Sequence, residues 1–316
     1  MTIHHNRALD TATPAIGSTR LTRRSVLHRS AMGLAVPAAL TLSGLTTARA
    51  GAQATPAATP PGPSASGYAP VNGLEMYYET HGTGQPLVLL HGGFSNINAD
   101  FGRMLPELAK TRQVIAVEFQ AHGRTADIDR PLRFEHLADD VAALTTHLGI
   151  DLADLLGFSL GGGVALQTAI RHPELVRKLV VVSAVYKNDG WHPEILAAMR
   201  AMTPMHEAYV SIAPKPEDWP ALVTKMRELL TEVEYDWTTD IAAIAAPTLL
   251  VVGDSDNVRP AHMLELFGLL GGDVVGDLAG VPSSQFTVLP STSHFGMMML
   301  ADLLPLATTF LDAPMS

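Results

Sequence analysis

Gly157-Phe158-Ser159-Leu160-Gly161 decides how this chain is read. The run before it, residues 152–156, apolar except for Asp154, suits a buried strand. The small residues after it, 162–170, suit a helix packed close against a sheet. A serine on so sharp a strand-to-helix turn is held in strained backbone geometry, with its hydroxyl raised above the sheet. Flanking glycines are needed because side chains there would collide with the turn. The helix that follows aims its first N–H groups beside the serine, which suits a developing oxyanion. G-x-S-x-G alone is a weak signal; a strand before it, a helix after it and partners downstream give it meaning.

Acyl transfer by serine needs a base, an acid to orient that base, and donors for the oxyanion. His294 is the candidate base. It follows the last predicted strand in Thr292-Ser293-His294-Phe295-Gly296, and an imidazole titrates near neutrality. Asp256 is the candidate orienting acid. Asp254 competes, but it directly follows Gly253 at a strand end and is placed to cap the loop. The order serine, aspartate, histidine excludes two other known serine-protease orders. All three positions lie at C-terminal ends of predicted parallel strands, where open α/β sheets bind ligands. Leu160 N–H is one expected oxyanion donor. Gly93 N–H is the other, with Phe94 as second choice, in the loop His91-Gly92-Gly93-Phe94. His91 and His122 are read as structural, with His91 hydrogen-bonding loop backbone.

Composition bounds the rest. The chain has 316 residues, 47% hydrophobic and 16% charged, enough for one large domain with a real core. Net charge is −10. The first 50 residues hold six arginines against Asp10, a charge of +5, so the remainder carries −15. An acidic body argues against nucleic acid and anionic membrane surfaces as partners. There is no cysteine, hence no disulfide, no thiolate zinc site and no lipidated cysteine. No His-Glu-x-x-His or paired-carboxylate pattern suggests a metal.

The first 50 residues read as an address. Thr22-Arg23-Arg24-Ser25-Val26-Leu27 resembles a twin-arginine export signal, and the uncharged run 31–47 follows. Ala48-Arg49-Ala50 has the small-x-small form of a cleavage site. Pro37, Gly33 and Gly44 make the run too short and too polar for a membrane span. The expected location is therefore periplasmic or extracellular, with the membrane met only during export. Residues 51–67 are, apart from Gln53, Ala/Thr/Pro/Ser/Gly without charge and read as a disordered linker, so the globular domain is expected over 68–316.

Within that domain, residues 74–79 read as an edge strand. Apolar runs at 87–90, 114–117, 179–182, 247–252 and 286–289 read as further strands. Helices are expected at 101–110, 134–148, 261–270 and 303–311, with Gly149 ending the second. Alternation of this kind predicts a mostly parallel, doubly wound sheet. Residues 185–246 break the rhythm. They carry all three tryptophans and several methionines without a convincing strand, and read as a helical insertion. Its aromatics and methionines either line an apolar substrate pocket or form the insertion's own core.

Taken together, residues 87–93, 120–125, 157–163, 253–256 and 293–294 resemble the strand-end motifs of the α/β-hydrolase fold family, across nearly the whole expected domain. The nearest branch looks like the serine esterases and cofactor-free haloperoxidases. The resemblance implies an eight-stranded sheet, a cap between strands 6 and 7, a Ser-His-Asp triad and no cofactor. Ser159 stands where haloalkane dehalogenases and epoxide hydrolases carry aspartate. The His-Gly-Gly-Phe loop differs from that of proline iminopeptidases, and lacks the longer glycine run of ring-fission C–C hydrolases. The implied function is a secreted hydrolase of small, apolar carboxylic esters. Lactone hydrolysis or perhydrolysis by the same residues is the alternative, and a non-catalytic binding protein is the remote one.

Overall fold

Eight strands form one sheet in the order β1-β2-β4-β3-β5-β6-β7-β8. They are β1 (Ala65–Val71), β2 (Leu74–His81), β3 (Gln85–Leu90), β4 (Arg112–Val117), β5 (Ala153–Phe158), β6 (Val176–Val182), β7 (Thr248–Ser255) and β8 (Gln285–Ser293). The six strands from β3 to β8 run parallel, while β2 is antiparallel to both β1 and β4. The structure, a computed structural model, describes residues 63–199, 206–299 and 302–315. The export signal and residues 51–62 of the linker lie outside the described residues.

Helices cover both faces. They are α1 (Ile97–Phe101), α2 (Leu105–Leu108), α3 (Phe134–His147), α4 (Leu160–Arg171), α5 (Pro193–Met199), α6 (His206–Val210), α7 (Trp219–Arg227), α8 (Thr238–Ile241), α9 (Pro260–Leu269), α10 (Gly276–Ala279) and α11 (Leu303–Asp312). Strand side chains alternate between two cores. Val88 and Leu90 of β3 pack on the α3 and α4 side, and Leu87 and Leu89 on the α1, α2 and α11 side. That alternation explains why the inner strands read as continuous apolar runs: both faces are covered. A buried ionic group lies at the N-terminal ends of the central strands. Asp154 of β5 pairs with Arg112 of β4 at 2.9 Å and accepts from Arg177 Nε at 2.8 Å, so three strand ends share one satisfied carboxylate.

The sequence reading needs three corrections. Residues 65–67, assigned to the linker, begin strand β1, and the domain starts there rather than at Tyr68. Their backbone groups are satisfied by β2, with Ala65 opposite Thr80 and Gly67 opposite Tyr78. Consequently β2 is an inner strand, not an edge. Asn72 and Gly73, at φ 49° and 82°, make the two-residue turn between β1 and β2. The helix expected over 101–110 starts earlier and is split. Asn96 caps α1 by accepting from Ala99 N–H at 3.0 Å, and Pro106 sits in the first turn of the separate α2.

Between β6 and β7 the described residues carry α5 to α8 and a short π-helical turn, Glu228–Glu232, but no strand. The expected cap therefore lies where it was placed. Among the described residues, no helix is long and apolar enough to cross a membrane.

The tightest packing is at the start of α4. A methyl group on Gly161 would lie 2.0 Å from the Leu90 carbonyl oxygen, and one on Gly157 would lie 2.2 Å from the Gly161 oxygen. Both obstacles are backbone, which cannot turn aside. Gly161→Ala is expected to destabilise the fold by about 2 kcal/mol or more, as overpacked cores do. A urea midpoint equal to wild type would contradict this.

Three buried histidines set an acid limit. Burial lowers His91 to about 3, and His122 and His262 to about 4, so all three are neutral in the folded chain. Unfolding exposes them at the ordinary value near 6.5, so the unfolded chain binds extra protons between about pH 4 and 6.5. Stability from this source is present above that window and falls as pH drops through it. Asp100, Glu118 and Asp154, each raised by burial, titrate in the opposite sense. The informative comparison is therefore His122→Asn with wild type. The variant is expected to lose Tm less steeply between pH 6.5 and 4.5, and equal slopes would refute the assignment.

Candidate active site

The nucleophile candidate sits on the turn between β5 and α4. Ser159 has φ 54° and ψ −114°, a strained conformation for a residue with a side chain. Its N–H donates to the Val182 carbonyl at 2.9 Å, which ties the turn to the end of β6. Small residues let α4 come this close to the sheet. A methyl on Gly162 would meet Ala184 Cβ at 2.5 Å, and one on Gly163 would meet the Phe134 ring at 2.5 Å.

The three predicted side chains meet in one line. His294 Nε2 lies 3.0 Å from Ser159 Oγ, and His294 Nδ1 lies 2.8 Å from Asp256 Oδ1. His294 and Asp256 are both buried, at 4% and 5% exposure. With Asp256 ionised, Nδ1 carries the proton and Nε2 faces the serine as an acceptor. Burial works to raise the Asp256 carboxyl. The His294 contact, with donors from Ser183 and Val258 N–H, overcomes this and holds it below the ordinary value. Asp256 is thus ionised and fully engaged: Ser183 Oγ donates to Oδ2 at 2.6 Å, and Val258 N–H to Oδ1 at 3.0 Å. Asp254 does not reach the histidine. It accepts from Ser291 N–H at 2.8 Å and Thr292 N–H at 3.2 Å, fastening the loop that leads into His294.

The loop after β3 supplies the other wall. Asp100 takes Gly92 N–H at 2.7 Å, and Ser95 N–H is held by the Gly92 carbonyl at 3.3 Å. Among the described residues, the N–H groups of Gly93, Phe94 and Leu160 donate to no protein acceptor. Leu160 and Gly93 are the expected oxyanion donors, with Phe94 the second choice, and all three residues border the cavity that holds Ser159. Phe94 adopts φ 60°, so this loop is strained as well. His91 is a strut. Its Nδ1–H donates to the Gly92 carbonyl at 2.7 Å and its Nε2 accepts from Phe119 N–H at 3.1 Å. His122 Nδ1 contacts the Gln120 carbonyl at 2.9 Å. Neither touches Ser159.

Two cavities flank the serine. One, of about 190 Å³, runs under the cap and is lined by Leu160, Trp191, Ile195, Met226 and Leu230. The other, of about 210 Å³, lies towards α1 and is lined by Ser95, Asp100, Met298 and Met299. Gly93, Ser159, His294 and Phe295 border both. The cap's large side chains divide between the two expected roles. Trp191 and Met226 line the first cavity, whereas Trp219 packs on Phe94 and Tyr209, and Trp237 on Phe134 and Tyr235. Among the described residues no group of His, Asp and Glu is arranged to hold a metal.

Sequence reasoning missed three neighbours of the site. Ser183 ends β6 at φ 51° and holds Asp256, with nothing in its local sequence to mark it. Asp100 sits in an Asn-Ala-Asp-Phe stretch that reads only as the start of a helix. Lys225 of α7 reaches out of the cap. Its Nζ donates to Asp127 Oδ1 and Oδ2 at 2.8 and 2.7 Å and to the carbonyls of Ile128 and Arg130 at 2.8 and 3.0 Å.

Comparison with known proteins agrees with this architecture. Residues 85–210 match the family model described as the alpha/beta hydrolase fold. A non-heme haloperoxidase of Rhodococcus erythropolis is 27% identical over 257 residues, 71% of this chain and 90% of that protein. A 2-hydroxymuconate semialdehyde hydrolase of Pseudomonas sp. (strain CF600) is 36% identical over 118 residues, 35% of this chain and 41% of that protein. Among solved structures, the meta-cleavage product hydrolase of Pseudomonas fluorescens IP01 superposes with a TM-score of 0.64 at 21% identity, covering 79% of this chain and 98% of that one. The chain has the alpha/beta hydrolase fold, and over residues 85–210 its sequence matches that fold's family model.

Proposed function

We propose that this α/β hydrolase is a serine hydrolase that cleaves carboxylic esters of small, apolar acids through an acyl-enzyme on Ser159. The observation that carries the reading is the continuous contact from Ser159 Oγ to His294 to Asp256, at 3.0 and 2.8 Å, opening onto an apolar cavity. His294 takes the serine proton as Oγ attacks the acyl carbon. Asp256 keeps the imidazole in the right tautomer and stabilises its charged form. Leu160 N–H and Gly93 N–H bind the oxyanion; losing one such donor typically costs ~10²–10³ in rate. His294 then protonates the departing alcohol, and water, activated by the same imidazole, releases the acid. Among the described residues neither cavity is lined by lysine or arginine, so a substrate carboxylate would find no cationic partner there. That favours neutral esters over the anionic substrate named for one relative.

A second reading has one observation behind it, the haloperoxidase relative matched over most of its length. Here hydrogen peroxide replaces water and takes the acyl group from Ser159 as a peracid. The chemistry up to the acyl-enzyme is the same, so product analysis with acetate and peroxide separates the two. The arginine pair Arg23-Arg24 and the Ala48-Arg49-Ala50 pattern support, as a further part of this proposal, export before activity. N-terminal sequencing of the protein recovered outside the cytoplasm is expected to begin at Gly51.

Wild-type protein is expected to label with a fluorophosphonate and to hydrolyse short p-nitrophenyl esters. Ser159→Ala abolishes labelling, and Asp256→Asn lowers kcat by ~10⁴ with the fold intact. A folded wild type that does not label would sink the enzymatic reading. The cap gives a separate test. Lys225→Met leaves Asp127 without its ammonium partner and frees α7, whose Met226 reaches over Gly93. KM for longer acyl chains is expected to rise about tenfold with a smaller change in kcat, the signature of lost ground-state binding. An unchanged KM across chain lengths would show that this anchor does not shape the pocket.

A further inference from the structure

The apolar cavity under the cap accounts for an acyl chain. It leaves the second cavity without a role, and that cavity has a different chemistry. It lies on the other side of Ser159 and His294 and has a similar volume, about 210 Å³ against about 190 Å³. Asp100, Ser95, Ala99, Phe295, Met298 and Met299 are on its wall. Asp100 is the one carboxylate lining either cavity among the described residues.

Asp100 is held by its own loop. Its Oδ2 accepts from Gly92 N–H at 2.7 Å and its Oδ1 from Ser95 Oγ–H at 2.8 Å. Burial raises the Asp100 carboxyl above its ordinary value, and the two donors work against that rise, towards the ionised form. A carboxylate has about four lone-pair sites, so one contact per oxygen leaves each oxygen able to accept again. His294 is also close enough for its charged form to interact with this group. In its ionised form, Asp100 on the same cavity wall as His294 selects what can sit there. A carboxylate is repelled, a hydrocarbon gains nothing from Asp100, and a hydroxyl or ammonium group gains a charge-assisted contact.

We propose that the second cavity is the subsite for the leaving alcohol, and that Asp100 selects alcohols carrying a second hydroxyl or a cationic group. The substrate class is then an ester whose acid part is apolar and whose alcohol part is a polyol or an amino alcohol. This rests on the serine hydrolase reading above and narrows its substrate.

Two isosteric pairs test it. One compares 2-hydroxyethyl butanoate with propyl butanoate, and the other compares choline butanoate with 3,3-dimethylbutyl butanoate. Each pair shares its acyl group and nearly its shape. Wild type is expected to favour the cationic ester by about tenfold in kcat/KM and the hydroxyl ester by a few-fold, given the strength of charge-assisted contacts. Asp100→Asn can still accept from Gly92 N–H but has no charge, and the cation ratio is expected to fall towards one. Ala99→Leu, which narrows the same cavity, is expected to lower kcat/KM for both bulky alcohols relative to methyl butanoate. Fluorophosphonate labelling shows which variants are folded. If Asp100→Asn does not fold, the wild-type ratio decides alone. Equal wild-type rates within both pairs would overturn the subsite while leaving the hydrolase reading intact. A wild type that neither labels nor cleaves any of these esters would overturn both.

Discussion

The constraint on which this structure depends is the close approach of α4 to the sheet. Gly157, Gly161, Gly162 and Gly163 remove every side chain that would hold the helix away, and the atoms they would meet include the backbone of β3 and of the helix itself. Once α4 is that near, the chain can leave β5 only by a sharp reversal, and Ser159 must accept a positive φ. The strain is retained because the surrounding packing over-determines it. The same approach brings Leu160 N–H, free of any helical acceptor, beside the loop that carries Gly93. One packing decision thus places a hydroxyl and a donor pair within a single small volume.

The remaining parts are held by cross-links between strand ends. Asp256 leaves β7, yet its second oxygen is bound by Ser183 from the end of β6, and its neighbour Asp254 fastens the backbone just before His294 at the end of β8. The imidazole therefore has little freedom to leave the line between serine and carboxylate. On the other side, Asp100 and His91 brace the Gly92 peptide from its N–H and its carbonyl. A site that must stabilise charge without reorganising needs such bracing, because donors that move towards the oxyanion only as it forms lose part of their effect.

Much of this was legible in the sequence because the inner strands are buried on both faces. Their apolar runs stand out, and a helix must follow each parallel strand. The misreadings have physical causes. Residues 65–67 have the composition of a linker, and β2 alone makes them a strand, although Asn72-Gly73 was a hairpin signal in plain view. The split between α1 and α2 comes from a cap at Asn96 and a proline at 106, which interrupt what otherwise has one helical pattern.

By itself the sequence determined the alternating strand-helix order, the turn at Ser159, and the candidates Asp256 and His294. Each of these depends on local periodicity or on a residue type at a strand end. Only the tertiary structure decided that Asp256 rather than Asp254 reaches the imidazole, that Ser183 and Asp100 support the site, and that Lys225 anchors the cap. Those contacts join residues 73, 8 and 98 positions apart, measured between Ser183 and Asp256, Gly92 and Asp100, and Asp127 and Lys225. They depend on which strand ends and loops become neighbours, and no periodicity in the chain encodes that.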